Sequence, residues 1–243
     1  MTYCTAAMLD AGIVFASDSR TNAGIDNVSI FKKMRVFEHP GERVIVTLCS
    51  GNLAVTQATL NHLDQIAHRH DGGPSLMTAG SMFDVAFMVG EALREVRQRD
   101  APYLMQNNVD SSANFIVGGQ IAGEMPRLFM VYSEGNFIEA MPETPYFQIG
   151  EVKYGKPILD RVITASTSMD DATKCVLVSF DSTMRSNLSV GMPIDLLCYE
   201  RDSLRVTRTR RFEERDDYMG RLRQQWNDGL RGVFAQLPSF DWH

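Results

Sequence analysis

The chain has 243 residues, with 24 Lys and Arg against 30 Asp and Glu, a formal net charge of -6 and a pI near 5.4. The length is ample for a large core, and the acidic balance argues against a general nucleic-acid binder. No apolar run reaches the roughly 18 residues of a membrane-spanning helix, and the N-terminus lacks the basic and uninterrupted apolar regions of a signal peptide, so a cytoplasmic location is expected.

Tyr3 to Leu9 and Ile13 to Ala16 are apolar runs flanking Asp10-Ala11-Gly12, and the second run ends in Ser17-Asp18-Ser19-Arg20. They read as a β-hairpin with a short glycine-containing loop. A three-residue loop (10–12) sets Leu9 opposite Ile13, Cys4 opposite Asp18 and Thr2 opposite Arg20. Thr2 and Asp18 are then diagonal neighbours on one face, roughly 7–8 Å apart. A loop one residue shorter or longer turns Asp18 to the other face, and the sequence permits either. A threonine that becomes N-terminal carries a hydroxyl nucleophile and a free amine in one residue. That amine has an ordinary pKa of about 7.7–8, close to what a general base needs. Removal of Met1 is the enabling step, and a small residue at position 2 usually permits it. Taken alone, Thr2 reads more simply as an ordinary strand residue, so the case rests on its neighbours.

Thr21 to Asn27 is a polar loop, Phe31 to Phe37 a strand, His39 to Glu42 a turn and Arg43 to Leu48 the return strand. A four-residue loop puts Lys33 opposite Leu48 with its ammonium toward Asp18, although a solvated charge is the ordinary role of a lone lysine. One amphipathic helix starts after Ser50-Gly51-Asn52 and ends at Asp71-Gly72-Gly73-Pro74, and a second runs from Thr78 to Arg99. His62, His68 and His70 read as surface residues rather than metal ligands. Ala101 to Ser112 is a polar loop. Strands follow at Ala113 to Gly118, Arg127 to Tyr132 and Asn136 to Met141.

Gly150 opens a loop into a helix over Pro157 to Thr164, and a further helix spans Asp170 to Met184, capped by Ser168. A strand at Ile194 to Tyr199 turns over Arg201-Asp202-Ser203 into Leu204 to Arg208. The chain closes with an amphipathic helix through Tyr218, Leu222, Trp226 and Phe234 and an apolar end, Leu237 to His243. Aromatic residues at such an end usually dock on the same chain or a neighbour. Cys4, Cys49, Cys175 and Cys198 show no C-x-x-C spacing and read as buried hydrophobes. Strand groups separated by helix pairs point to two antiparallel sheets with helices outside. The expected organisation is one domain over 1–243, with roughly 209–243 a C-terminal helical extension.

Thr2 behind Met1, Gly12-x-x-x-Ala16-Ser17-Asp18-Ser19-Arg20, Lys32-Lys33 before a strand, and Val44-Ile45-Val46-Thr47-Leu48-Cys49-Ser50-Gly51 together resemble a proteasome-type β subunit. The lack of a propeptide resembles the bacterial HslV branch. The length, the Ser-Asp-Ser-Arg-Thr-Asn-Ala-Gly stretch and the long C-terminus look closer to bacterial Anbu. The resemblance implies an α+β fold, the four-layer αββα sandwich of N-terminal nucleophile hydrolases. It implies self-association into a ring or ring-like homo-oligomer, peptide or protein as substrate, and no metal or organic cofactor. An unfoldase partner is an option of the family with no signature in this chain.

Carried over residue by residue, Thr2 is the nucleophile and its amine the base, Lys33 (with Lys32 as rival) the charge that steadies them, and Asp18 its partner. Ser17 is expected beside the nucleophile, Thr47 where the family has a glycine whose N–H binds the oxyanion, and Ser186 and Ser189 where it has an aspartate and a serine. Glu151 stands where the family has a serine. The implied activity is a threonine-type peptidase. The alternatives are an amidase for small amides and a catalytically silent assembly subunit.

Overall fold

The computed structural model describes residues 1–22, 28–67 and 73–242. Its strands are β1 (Tyr3–Leu9), β2 (Gly12–Asp18), β3 (Arg20–Asn22), β4 (Val28–Ile30), β5 (Met34–His39), β6 (Arg43–Gly51), β7 (Ala113–Ile121), β8 (Arg127–Val131), β9 (Phe137–Glu139), β10 (Tyr146–Gly150), β11 (Ile194–Glu200) and β12 (Arg208–Phe212). Its helices are α1 (Leu53–Ala67), α2 (Met82–Gln106), α3 (Lys156–Val162), α4 (Met169–Ser186) and α5 (Asp217–Ala235). None of the described helices is long and apolar enough to cross a membrane.

Two five-stranded antiparallel sheets, ordered β10-β1-β2-β11-β12 and β5-β6-β7-β8-β9, lie face to face. Cys4, Phe15, Val46, Leu48, Ile116 and Tyr199 fill the space between them. On the outer face of one sheet, Val85, Val89 and Leu93 of α2 pack with Ile45, Val117 and Phe129. On the outer face of the other, Val176 and Phe180 of α4 pack with Val14, Ala16 and Leu196. This is the αββα sandwich. It explains why β1, β2 and β6 read as near-continuous apolar runs: a strand covered on both faces has no solvated side to alternate with. The cap at Ser168 is as expected, its hydroxyl accepting the Asp171 N–H at 3.1 Å, an interaction worth about 1 kcal/mol.

Tertiary contacts correct several boundaries. The first hairpin turns over two residues, not three: Leu9 faces Gly12 and Cys4 faces Ser17. Gly12 has φ +144°, and a side chain there would strike the Tyr199 carbonyl of β11. The next turn is also one residue shorter than expected. His39 pairs with Arg43 across Pro40–Glu42, and Gly41 takes φ +82°, so Met34 rather than Lys33 faces Leu48. The strand itself begins at Met34, not at Phe31.

The α2 helix starts late because the Thr78 and Ala79 N–H groups first turn back onto Ser75; Ser81 then caps it. It runs through Pro102, beyond the expected loop boundary. Strand β10, absent from the periodicity reading, is a five-residue edge strand between Pro145 and Gly150, and its pairing with distant β1 defines it.

Residues 204–207 are not a strand. Leu204 has φ +44°, and its carbonyl and the Val206 N–H bond Gly41 and Glu38 on the β5–β6 hairpin instead of β11. Residues 209–212 therefore belong to a sheet rather than to a helical extension. The first two residues of the loop expected over Thr21 to Asn27 belong to β3, which pairs with β4; 23–27, like His68 and His70, lie outside the described residues. His62 faces Glu95 at 3.2 Å.

Candidate active site

The first residues of β1, the end of β2, the approach to β5 and the loop after α4 converge at one end of the sandwich. Asp18 ends β2 fully buried. Its Oδ1 accepts the Tyr3 N–H at 3.0 Å and a proton of Lys33 Nζ at 2.7 Å. Lys33 is itself buried and also donates to the Arg20 carbonyl at 2.6 Å. The expected pair therefore forms, but by another route. Residue 18 reaches the start of β1 through the Tyr3 amide, and Lys33 arrives from the loop ahead of β5. Lys32 is exposed, which decides the rivalry for the ion pair in favour of Lys33. Burial pushes the Asp18 carboxyl above its ordinary value, against the pull of the Lys33 charge, its hydrogen bond and the Tyr3 N–H.

Tyr3 anchors the strand from below. Its hydroxyl lies 2.9 Å from Ser179 Oγ and accepts a Gln148 proton at 2.6 Å, and its ring packs on Phe180. Burial drives the phenol well above its usual range, so Tyr3 is a fixed neutral post. Above it, the Thr2 carbonyl accepts the Glu151 N–H at 2.7 Å. Gly150 allows this close passage: it has φ +86°, and a Cβ there would lie 2.0 Å from the Thr2 oxygen.

The amine of the described chain belongs to Met1. Burial, then the Lys33 charge, hold it below its ordinary 8.0, while Asp18 and Glu151 pull the other way. The start of the chain thus sits in the field of all three charged side chains.

Ser17 faces Cys4 on one side and Asp195 on the other, fully buried. Among the described residues, Ser17 Oγ, Asp18 Oδ2 and Thr47 Oγ1 are buried without a hydrogen-bond partner. Thr47 does not join the cluster as expected. It lies mid-strand in β6 between Arg35 and Val117, and its neighbours two residues away, Ile45 and Cys49, face the helix side. The part of β6 that does arrive is Cys49: its N–H donates to the Lys33 carbonyl at 3.1 Å, and its carbonyl accepts from Cys4 Sγ at 3.5 Å. Burial pushes the Cys49 thiol to about 12 and Cys4 well above its usual value, so neither is a nucleophile near neutral pH.

Ser186 is the exposed last residue of α4, and Ser189 is half-buried, its N–H on Asn187 Oδ1 at 2.9 Å. The residue between them makes the contact with the site: Asn187 Nδ2 donates to Glu151 Oε2 at 2.9 Å and lies 3.9 Å from Met1 Sδ. Asn187 was legible only as the polar residue closing a helix, a position that says nothing of what its side chain meets.

A groove of about 900 Å³ lies elsewhere, between α3, α4 and α5, lined by Ile158, Val162, Val178, Leu222 and Trp226. It is lined by none of the residues of this cluster.

No protein-family model and no curated protein matches the chain. Solved structures do. A Gly-1 mutant of Anbu from Hyphomicrobium sp. strain MC1 is 49% identical over 99% of this chain and 100% of that one, with a TM-score of 0.93. Anbu from Yersinia bercovieri, described as an ancestral beta-subunit, is 46% identical over 99% and 100%, with a TM-score of 0.93. The Anbu complex from Pseudomonas aeruginosa, solved as a helical assembly, is 50% identical over 99% and 98%, with a TM-score of 0.94.

Proposed function

Because the chain belongs to the Anbu family, relatives of the proteasome β subunit within the N-terminal nucleophile hydrolases, we propose that it is a threonine-type hydrolase that cleaves peptide bonds through an acyl-enzyme on Thr2 once Met1 is removed. The observation that carries this reading is the buried Lys33–Asp18 pair at the start of β1, with the Tyr3 N–H on the same carboxylate oxygen. Two opposite charges out of water cost several kcal/mol each unless tightly paired, so a fold that keeps them beside its own N-terminus favours a role for the charge there.

In this reading the Thr2 hydroxyl attacks the carbonyl carbon and its proton passes to the Thr2 amine, directly or through water. The tetrahedral intermediate collapses, the leaving amine departs with that proton, and an ester on Thr2 remains. Water then attacks the ester, again giving its proton to the amine, and the acid product leaves with the hydroxyl restored. Lys33 favours the unprotonated amine that this requires, and Asp18 holds Lys33 in place. Ser17 flanks the pair.

Self-assembly belongs to the same proposal, as does a cytoplasmic location. Every residue from Asp228 to Trp242 is exposed, including Leu230, Val233, Phe234, Leu237, Phe240 and Trp242. So much uncovered apolar surface at the end of α5 supports docking on a neighbouring copy.

The test is the intact mass of Met1-free protein after incubation with a peptide epoxyketone, which needs both an N-terminal amine and its hydroxyl. One adduct on the wild type and none on Thr2→Ala is expected. An unmodified wild type, or a modified Thr2→Ala, overturns the assignment.

A further inference from the structure

Glu151 is 9% exposed, yet the one hydrogen bond to its carboxylate among the described residues comes from a neutral amide, Asn187 Nδ2, on Oε2. A mostly buried carboxylate held on one oxygen by a neutral donor keeps its other oxygen open to a further donor, and a cation is the strongest such donor. The backbone fixes where that cation would be. Glu151 N–H holds the Thr2 carbonyl, one step beyond the Tyr3–Gly150 pair of the β1–β10 ladder. The amide that holds the carboxylate also touches the Met1 side chain. Carboxylate, amide and residue 1 therefore form one cluster, and loss of residue 1 exposes that cluster to the new amine of residue 2.

Resting on the function proposed above, we propose that Glu151, steered by Asn187, is the positioning residue for the α-amine of Thr2. It accepts a hydrogen bond from the amine on the side away from Lys33 and sets the direction of the amine relative to the hydroxyl. Asn187 can steer because it is itself doubly fixed: its N–H closes α4 on the Thr183 carbonyl at 2.8 Å, and its Oδ1 takes the Ser189 N–H. Lys33, Asp18 and Glu151 are the charged groups that act on the amine of Met1, one residue ahead of Thr2. Arg20, against Gly191 in the neighbouring loop, is turned to the Leu188 carbonyl and Glu214. Glu151 and Asp18 favour the protonated amine and Lys33 the free base, so removal of one carboxylate has a definite sign.

The experiment is competitive acetylation of the N-terminal amine with acetic anhydride across pH on full-length, Met1-free protein, read by mass spectrometry of the N-terminal peptide. Glu151→Gln is expected to lower the amine's proton affinity about tenfold, moving the midpoint to lower pH. Asn187→Ala, which frees the carboxylate to swing away, shifts it less in the same direction. A Glu151→Gln midpoint that coincides with wild type overturns the proposal. If that variant fails to fold, an unmoved midpoint in Asn187→Ala does so. A merely structural Glu151 would move neither. Acetylation needs only the amine, whereas the epoxyketone adduct also needs the Thr2 hydroxyl. A chain that titrates as expected but takes no adduct sinks the nucleophile and leaves Glu151 standing, and the converse result sinks Glu151 alone.

Discussion

The two ends of the chain break the ordinary partition of residues in opposite ways. Around β1 and β2, polar and charged groups (Ser17, Asp18, Lys33) are buried among apolar neighbours. Along the second half of α5 and beyond it, large apolar groups stand in solvent, with Trp242 86% exposed. A buried charge is costly and persists only when paired, while an uncovered apolar surface lacks its partner. The charges of the first departure are paired within one chain, Lys33 on Asp18, although Ser17 Oγ has no hydrogen-bond partner. The apolar surface of the second is left uncovered, which is why the N-terminal end supports a proposal about chemistry and the C-terminal end one about assembly.

The most damaging way to break the contrast is to remove one member of the buried pair. Lys33→Ala leaves Asp18 charged and unpaired out of water and is expected to cost about 3–5 kcal/mol in chemical denaturation. The double variant with Asp18→Leu should recover part of that loss, because no orphaned charge remains. Were the two variants equally unstable, Lys33 would matter for its packing and not its charge.

A smaller effect lies in pH. Burial raises the native Asp18 carboxyl above its unfolded value of 3.8, so the native state takes up the proton first. Between those two values the native chain holds more protons than the unfolded one. The contribution of Asp18 to stability therefore falls as pH rises through that window, by about 1.4 kcal/mol for each full pH step the window spans. Comparing denaturation curves from pH 3.5 upward for wild type and Asp18→Asn isolates this slope, and an Asn variant that retains it would assign it to another group.

The least effect on folding is expected from truncation after Gln236. The described residues it removes, 237–242, are exposed, and stability should change by less than about 0.5 kcal/mol. The same truncation should lower the assembly mass in sedimentation. Unchanged association would place the interface elsewhere and leave the tail without a partner.

Much of the N-terminal end was legible in advance. Thr2, Asp18 and Lys33 stood out through the resemblance carried by the motifs around them, and Asp18 and Lys33 meet in the structure. The geometry that brings them together was not legible. Both hairpins turn one residue tighter than their loops suggested, because Gly12 must clear the Tyr199 carbonyl of β11 and Gly41 adopts a left-handed turn. The role expected of Thr47 lay in its backbone N–H, and a run of apolar strand residues does not show where along β6 the strand meets the cluster; the contact is made at Cys49, whose N–H donates to the Lys33 carbonyl. Asn187 escaped notice because a helix-closing amide is common and its partners are 36 and 186 residues away.

By itself the sequence determined what local energetics can encode: the apolar runs that need cover on both faces, the Ser168 cap, the helices, and the residue types able to carry charge and attack a carbonyl. Register, the existence of β10 and the convergence of β1, β2, the β5 approach and the α4 loop on one point were decided by the tertiary structure. Each depends on contacts between segments far apart in the chain, and such contacts form only when the two sheets close on their shared core and leave each strand a single way to fit.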